Sequence, residues 1–467
     1  MKNLPYNIFP LVACAAMIVS SVAHGQVADV PDSKPVAGIP VNEVEANVGN
    51  YTLPDVLTLN NGQPVKDAAT WYSQRRPEIV KFYETQVYGR VPATAPKVTW
   101  TVDSVDRAAL GGTAVMKKLT GHMGSPDGPP IHVTLYTPAK ATKPVPVIVA
   151  IQFAMLMARP APAAPATFNA AEVGTLNKAL QSAIEQEDPT TKDIFAQHPT
   201  LGVLPAPAAA PAGGGGSPIA NVIAHGYGYA TYAKDDVETD IEGPTLNPNV
   251  NIARKLGLAP GQDKPAADEW GAIAAWAWSL SRVVDYFETD KDVDAKRIAI
   301  TGGSRLGKTV LWAGVNDQRI AMVIACSSGE GGASLARRNY GETIAHLVAP
   351  TRYPYQFAAN YAQFAANPAA MPMDTHMLVA AMAPRALLLH TAANGDNWSD
   401  PKGEFLAGVE ASRAYELVGK KGLGRTADQM PPTSEFIGGD LAFYLNNGGH
   451  ASLNWDIALK FMDEHLK

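Results

Sequence analysis

The nine residues 145–153, Val-Pro-Val-Ile-Val-Ala-Ile-Gln-Phe, are apolar at odd and even positions alike. Successive side chains of a strand point to opposite faces, so this run is apolar on both sides at once. A strand of that kind belongs in the interior of a sheet covered on both faces. Other strand-like runs occur at 97–105, 131–137, 226–233, 297–301, 321–325 and 385–391, and from 267 onward they alternate with helical ones. The strongest helix spans 267–289, with Trp270, Ile273, Ala274, Ala277, Leu280, Val284 and Phe287 on one stripe. Further helices are expected at 306–315, 404–418 and 455–466. This alternation predicts an α/β fold, a three-layer sandwich in which a mostly parallel central sheet carries helices on both faces.

Three stretches fall outside the alternation. Lys2, an apolar run over 11–22 and the small residues Ala23 and Gly25 have the layout of a secretory signal cut after Gly25. The run is too short to span a bilayer, and no later segment is long and apolar enough. Leu11-Val-Ala-Cys14 spells a lipoprotein-like cleavage site, but it falls in mid-run with more apolar sequence after it. Residues 26–52 are polar and unpatterned, and read as a flexible lead-in to a domain over 53–467. Residues 159–218 hold Pro160-Ala-Pro-Ala-Ala-Pro165 near one end and Ala210-Pro-Ala-Gly-Gly-Gly-Gly216 near the other, with helical spacing over 170–188. Tracts rich in Pro and Gly build no packed core, so this is an insertion, either a spacer or a rim beside a site.

Composition removes several function classes. Lys and Arg total 38 against 44 Asp and Glu, a net charge of −6 that offers nucleic acid no basic footprint. Without the leader and its Cys14, only Cys326 remains, so the core rather than a disulfide framework must hold the domain. No Cys/His cluster has zinc spacing, so neither metal nor cofactor is expected. Asp290, Asp292 and Asp294 mimic the start of a calcium loop, but Thr301 stands where the closing glutamate belongs. They are read as a turn into the next strand.

That strand leads into Arg297-Ile-Ala-Ile-Thr-Gly-Gly-Ser-Arg-Leu-Gly-Lys-Thr309, which contains two overlapping motifs. Gly302-x-x-x-x-Gly307-Lys308-Thr309 satisfies the phosphate-cradling loop between strand and helix. Gly302-x-Ser304 at a strand end is equally a nucleophile elbow, although the usual second glycine is displaced from 306 to 307. The string alone does not choose; its context does. The next strand ends Ile324-Ala-Cys-Ser-Ser328, without the acid that would help hold magnesium, and an exported protein meets little nucleoside triphosphate. The serine reading needs an acid and then a histidine downstream. Asp396 and Asp400 follow the strand at 385–391, and Asn446-Asn-Gly-Gly-His450 precedes the last helix. Ser304 is therefore the expected nucleophile and His450 its base, while His376 and His390, in or near apolar runs, are read as structural. Arg305 follows the nucleophile, so its backbone N–H points into the oxyanion site.

The string Gly302-Gly-Ser304-Arg305-Leu-Gly307-Lys308 resembles the Gly-x-Ser-Arg-x-Gly-Lys signature of glucuronoyl esterases, carbohydrate esterase family fifteen of the α/β-hydrolase superfamily. Ser328-Gly-Glu-Gly-Gly332, Gly341-Glu342 and Asp396-Asn-Trp398-Ser-Asp-Pro401 resemble further pieces of it. The resemblance runs from about residue 53 to the C-terminus, interrupted by the insertion. It implies an α/β-hydrolase fold and cleavage of esters between (4-O-methyl-)glucuronic acid of glucuronoxylan and lignin alcohols. The signal-like N-terminus, the net charge and the lack of a long apolar segment together lead to the expectation of a periplasmic or secreted protein with no nucleic acid or membrane partner; a monomer is expected. Acetyl or feruloyl esters of xylan remain the alternative substrates. The guanidinium of Arg305 would add a donor to the oxyanion, and Lys308, Glu342 and Trp398 match positions that bind the sugar. Some members place the catalytic acid directly before the Ser-Gly that follows the strand after the elbow, where this chain has Ser327. The acid is then expected at Asp396, whose spacing to Trp398 matches the other members. Glu330 and Asp400 are the alternatives, with Asp400 also read as the N-cap of a helix starting near Lys402.

Overall fold

The computed structural model describes residues 29–30, 33–153, 218–240 and 251–467. The expected signal, the start of the lead-in and the insertion up to residue 217 lie outside the described residues, as does the helix expected at 170–188. Ten strands form one sheet in the order β1-β2-β3-β5-β4-β6-β7-β8-β10-β9. They are β1 (Val98–Ala108), β2 (Ala114–Met123), β3 (Pro130–Pro138), β4 (Val145–Gln152), β5 (Gly228–Ala233), β6 (Val293–Gly303), β7 (Ile320–Cys326), β8 (Ala386–Ala392), β9 (Phe436–Gly438) and β10 (Leu441–Asn446). From β5 to β10 the pairings are parallel. The flanking strands β1, β2, β3 and β9 pair antiparallel.

The doubly apolar strand sits where its pattern requires. Val147, Val149 and Ile151 enter one core cluster, with Trp276 and Leu280 of α1 (Ala272–Phe287) and Val310 of α2 (Arg305–Asn316). Ile148 and Ala150 enter the other, with Leu459, Phe461 and Met462 of α4 (Trp455–Leu466). Each such burial contributes roughly 1.5–3 kcal/mol. The remaining long helix, α3 (Pro401–Leu417), begins with proline at its first position. Among the described residues no helix is long and apolar enough to cross a membrane.

Three differences from the sequence reading have physical causes. Helix α1 starts at Ala272 rather than at 267, because Gly271 is extended (φ −78°, ψ 177°) and ends the preceding loop. Strands β2, β9 and β10 were not expected; β10 is a run of five apolar residues ending in Asn446, too short to be told from a buried helix by pattern. Residues 33–50, expected as flexible, are held by partners distant in sequence. Asn42 accepts from Gly341 N–H (2.7 Å), and Glu45 pairs with Arg338 and with Lys402 (2.7 Å). Polar composition here reflects ion pairing, which no local pattern reveals.

Register brings the chemistry together. Gly303 of β6 lies opposite Cys326 of β7, Cys326 opposite His390 of β8, and His390 opposite Tyr444 of β10. The carboxyl ends of these parallel strands thus share one edge, where α/β sheets hold their sites.

Candidate active site

Only one residue separates β6 from α2, and it is Ser304. A strand-to-helix reversal in one residue forces it to φ 58°, ψ −128°, a region that costs a non-glycine residue about 1–3 kcal/mol. The turn is fixed by Ser304 N–H donating to the Cys326 carbonyl (2.9 Å) and by its own carbonyl accepting from Gly307 N–H (2.8 Å). The displaced glycine has a reason: a Cβ on Gly307 would lie 2.7 Å from the Cys326 carbonyl oxygen. Position 307 is where the first turn of α2 lies against the backbone at the end of β7. This is the geometry of a nucleophile elbow.

The loop after β10 lies against this turn. A Cβ on Gly303 would meet the Cβ of Ala451 at 2.6 Å, so the residue after His450 rests on the residue before Ser304. The loop is tied down on three sides. Ala451 N–H donates to Ser327 Oγ (3.2 Å), the Asn446 amide donates to the Ser452 carbonyl (2.8 Å), and Asn454 N–H donates to His390 Nε2 (3.1 Å). Burial pulls His390 down to about 4, so it is neutral and can accept that bond. His450 Nδ1 lies 2.7 Å from Oδ1 of the fully buried Asp396, and Ser399 Oγ is a second neighbour at 3.3 Å. A carboxylate on Nδ1 fixes the tautomer and turns Nε2 outward as the basic nitrogen.

The two alternative acids have other partners. Glu330 Oε1 accepts from Tyr361 (3.0 Å), and burial pushes its carboxyl well above the ordinary range. Asp400 caps α3 through Gly403 N–H (3.0 Å), as its position suggested, and also pairs with the buried Arg338 (2.9 Å). Ser327, which carries no acid, holds the histidine loop.

Beside the elbow lies a buried cluster of charge. Lys308 Nζ is 3.6 Å from Glu342 Oε2, and Arg352 Nη1 is 3.1 Å from Glu342 Oε1. Burial depresses the Lys308 ammonium. For Glu342 burial works against the charge, but Lys308 and Arg352 outweigh it and hold the carboxyl low. The Arg352 guanidinium lies 5.1 Å from the ring centre of Trp398, whose carbonyl accepts from Glu342 N–H (2.8 Å). Lys308, Glu342 and Trp398 are thereby brought together around Arg352. His346 sits edge-on to Trp398 at 5.2 Å, and Val36 of the N-terminal segment packs on the same indole. Arg305, at the first position of α2, pairs with Asp240 and shares the ring of Tyr353 with Arg352. Asp240, Arg352 and His346 carried no signal in the sequence, since isolated charged residues in loops fit no spacing rule. Asp290 and Asp292 are both bridged by Lys117 Nζ (2.6 and 2.8 Å), an ammonium where a calcium loop would hold its ion.

Comparison with known proteins places the chain in a family. A family model described as "Glucuronyl esterase, fungi" matches residues 265–419. The carbohydrate esterase MZ0003, from an unknown prokaryotic organism, is 34% identical over 434 residues, covering 91% of this chain and 92% of that protein. The chain belongs to the glucuronoyl esterase family, carbohydrate esterase family fifteen. As in that family, the fold is that of an α/β-hydrolase, and the protein is a carboxylic ester hydrolase. The solved glucuronoyl esterase of Solibacter usitatus is 37% identical with a TM-score of 0.74, covering 91% of this chain and all of its own. A structure described as a promiscuous esterase of this family, from a marine bacterial metagenome, is 31% identical with a TM-score of 0.71, at the same coverage.

Proposed function

We propose that this glucuronoyl esterase family member hydrolyses esters of glucuronic acid or its 4-O-methyl ether, as they occur between glucuronoxylan and lignin alcohols, through an acyl-enzyme on Ser304. His450 takes the Ser304 proton through Nε2 as Oγ attacks the ester carbonyl, and Asp396 stabilises the imidazolium. The Arg305 N–H and guanidinium meet the developing oxyanion. Collapse of the tetrahedral species expels the alcohol, which leaves with the proton from His450. Water then attacks the acyl-enzyme with His450 again as base, Ser304 recovers its proton, and glucuronate departs. Lys308 and Glu342 donate to and accept from sugar hydroxyls, and Trp398 offers a ring face to the pyranose. Export by the N-terminal signal would bring the enzyme to this extracellular polymer.

The observation that carries the reading is the strained Ser304 on the sheet edge that also bears the His450–Asp396 pair. A simpler ester is the second reading, favoured by the likeness to a relative described as promiscuous. The purified protein offered benzyl glucuronate, an aryl acetate and ATP separates these. Turnover of the glucuronate with weaker turnover of the acetate is expected. Turnover of acetate alone would overturn the uronate reading.

A further inference from the structure

Asp240 is an acid with no assigned step in the reaction, yet it is almost fully buried, accepts three hydrogen bonds and faces a second cation. Oδ2 accepts from Arg305 Nη1 (2.5 Å) and faces Lys234 Nζ (3.4 Å). Oδ1 accepts from the Tyr355 hydroxyl (2.6 Å) and the Gln356 amide (2.9 Å). Burial alone would raise this carboxyl, but Arg305 and Lys234 dominate and hold it ionised well below the usual range. The Arg305 guanidinium is further confined from one side, stacked 4.3 Å from the ring centre of Tyr353. A charge-assisted bond to Nη1 fixes one corner of a planar fork that carries five N–H donors. A ring on its face then sets the plane. The long arginine side chain, otherwise rich in rotamers, is left with a single orientation beside the elbow.

We propose that Asp240 is a positioning residue that holds the Arg305 guanidinium in the orientation that meets the oxyanion. The assignment rests on the reading of Arg305 given above. Preorganised donors stabilise developing charge without reorganising at the moment of reaction, and Asp240 supplies that preorganisation from a segment far from the motif in sequence. It touches no reacting atom and acts only through Arg305. Any ester passes through the same oxyanion, so its effect must be indifferent to the acyl group. That property separates it from Lys308 and Glu342.

The test is a double-mutant cycle of Asp240→Asn and Arg305→Ala, with kcat and KM measured on benzyl glucuronate and on an aryl acetate. Arg305→Ala should lower kcat about 100- to 1,000-fold on both substrates. Asp240→Asn, which keeps the size but loses the charge and one acceptor, should lower kcat roughly 10- to 100-fold on both while KM stays within about threefold. The double variant should be no slower than Arg305→Ala alone, since the clamp then has nothing to hold. Asp240→Asn at parental kcat, or a double variant that loses the product of the two factors, would overturn the proposal. Arg305→Ala at parental kcat would instead sink the oxyanion reading itself, and the clamp with it. Tyr355→Phe removes one support of Asp240 without unpairing a buried charge, and covers the case in which Asp240→Asn does not fold. A several-fold loss of kcat that vanishes in the Arg305→Ala background is expected there, and no loss would count against the clamp.

Discussion

The site has two halves built in different ways. The half to which we assign the bond chemistry stands on strand ends: Ser304 closes β6, Asp396 follows β8 and His450 follows β10. Sheet register alone aligns these positions, and short loops finish the work. The half beside it takes Glu342 and Arg352 from the long connection between β7 and β8, Lys308 from α2 and Trp398 from the turn after β8. It is held by buried charges that compensate one another and by the N-terminal segment packed on Trp398. On the proposed reading, substitutions in the first half should change chemistry with little effect on binding. The second should be perturbed in binding with little effect on chemistry.

The largest effect belongs to Ser304. Ser304→Ala should lower kcat/KM by about 10⁴- to 10⁶-fold, since members of such a triad act as a unit. Ser304→Gly should be equally inactive yet melt higher than the parent, because glycine adopts φ 58° without strain. A melting temperature that falls would contradict the strained elbow. Next comes the acid. Asp396→Asn should lower kcat by about 10⁴-fold with KM little changed, and Glu330→Gln should remain within about tenfold of the parent. The reverse result would move the acid to Glu330 and break the division between the halves.

Asp400→Asn sharpens the comparison differently, since it touches neither half's chemistry. From the cap alone a loss of about 1 kcal/mol or less would follow, because asparagine also caps well. The buried ion pair with Arg338 raises the expectation to roughly 3 kcal/mol in denaturant unfolding, with kcat unchanged. A loss below 1 kcal/mol would mean that Glu45 suffices as partner for Arg338. The smallest effect is expected at Lys308. Lys308→Ala should raise KM for benzyl glucuronate about 10- to 100-fold, the scale of one lost charged contact, and spare the aryl acetate. Equal losses on both substrates would deny the second half a role in sugar binding.

The same division decides what could be read before the structure. The chemistry half was legible because each part sits at a junction with a pattern: a β-branched strand running into Gly-Gly-Ser, a strand before Asp396, a Gly-Gly-His loop before the last helix. The displaced Gly307 departs from the usual elbow pattern, and context rather than the string itself chose the serine; the reason for that glycine, its approach to the Cys326 carbonyl, came only with the structure. The binding half was legible only where it resembles relatives, at Lys308, Glu342 and Trp398. Arg352, His346 and Asp240 are single residues whose roles arise from partners far away in sequence, and no periodicity encodes such pairs. The same holds for residues 33–50, whose polar sequence resembles a loose leader but whose Glu45 is paired with Arg338 and Lys402.

The central claim is that an elbow serine, and no other nucleophile, carries the acyl group. Labelling the intact enzyme with a fluorophosphonate, followed by peptide mass spectrometry and a parallel activity assay, tests it most directly. A single adduct on Ser304 that rises in step with the loss of benzyl glucuronate turnover is predicted. An inactivated enzyme labelled elsewhere, or an enzyme fully labelled on Ser304 that still turns over, would contradict it.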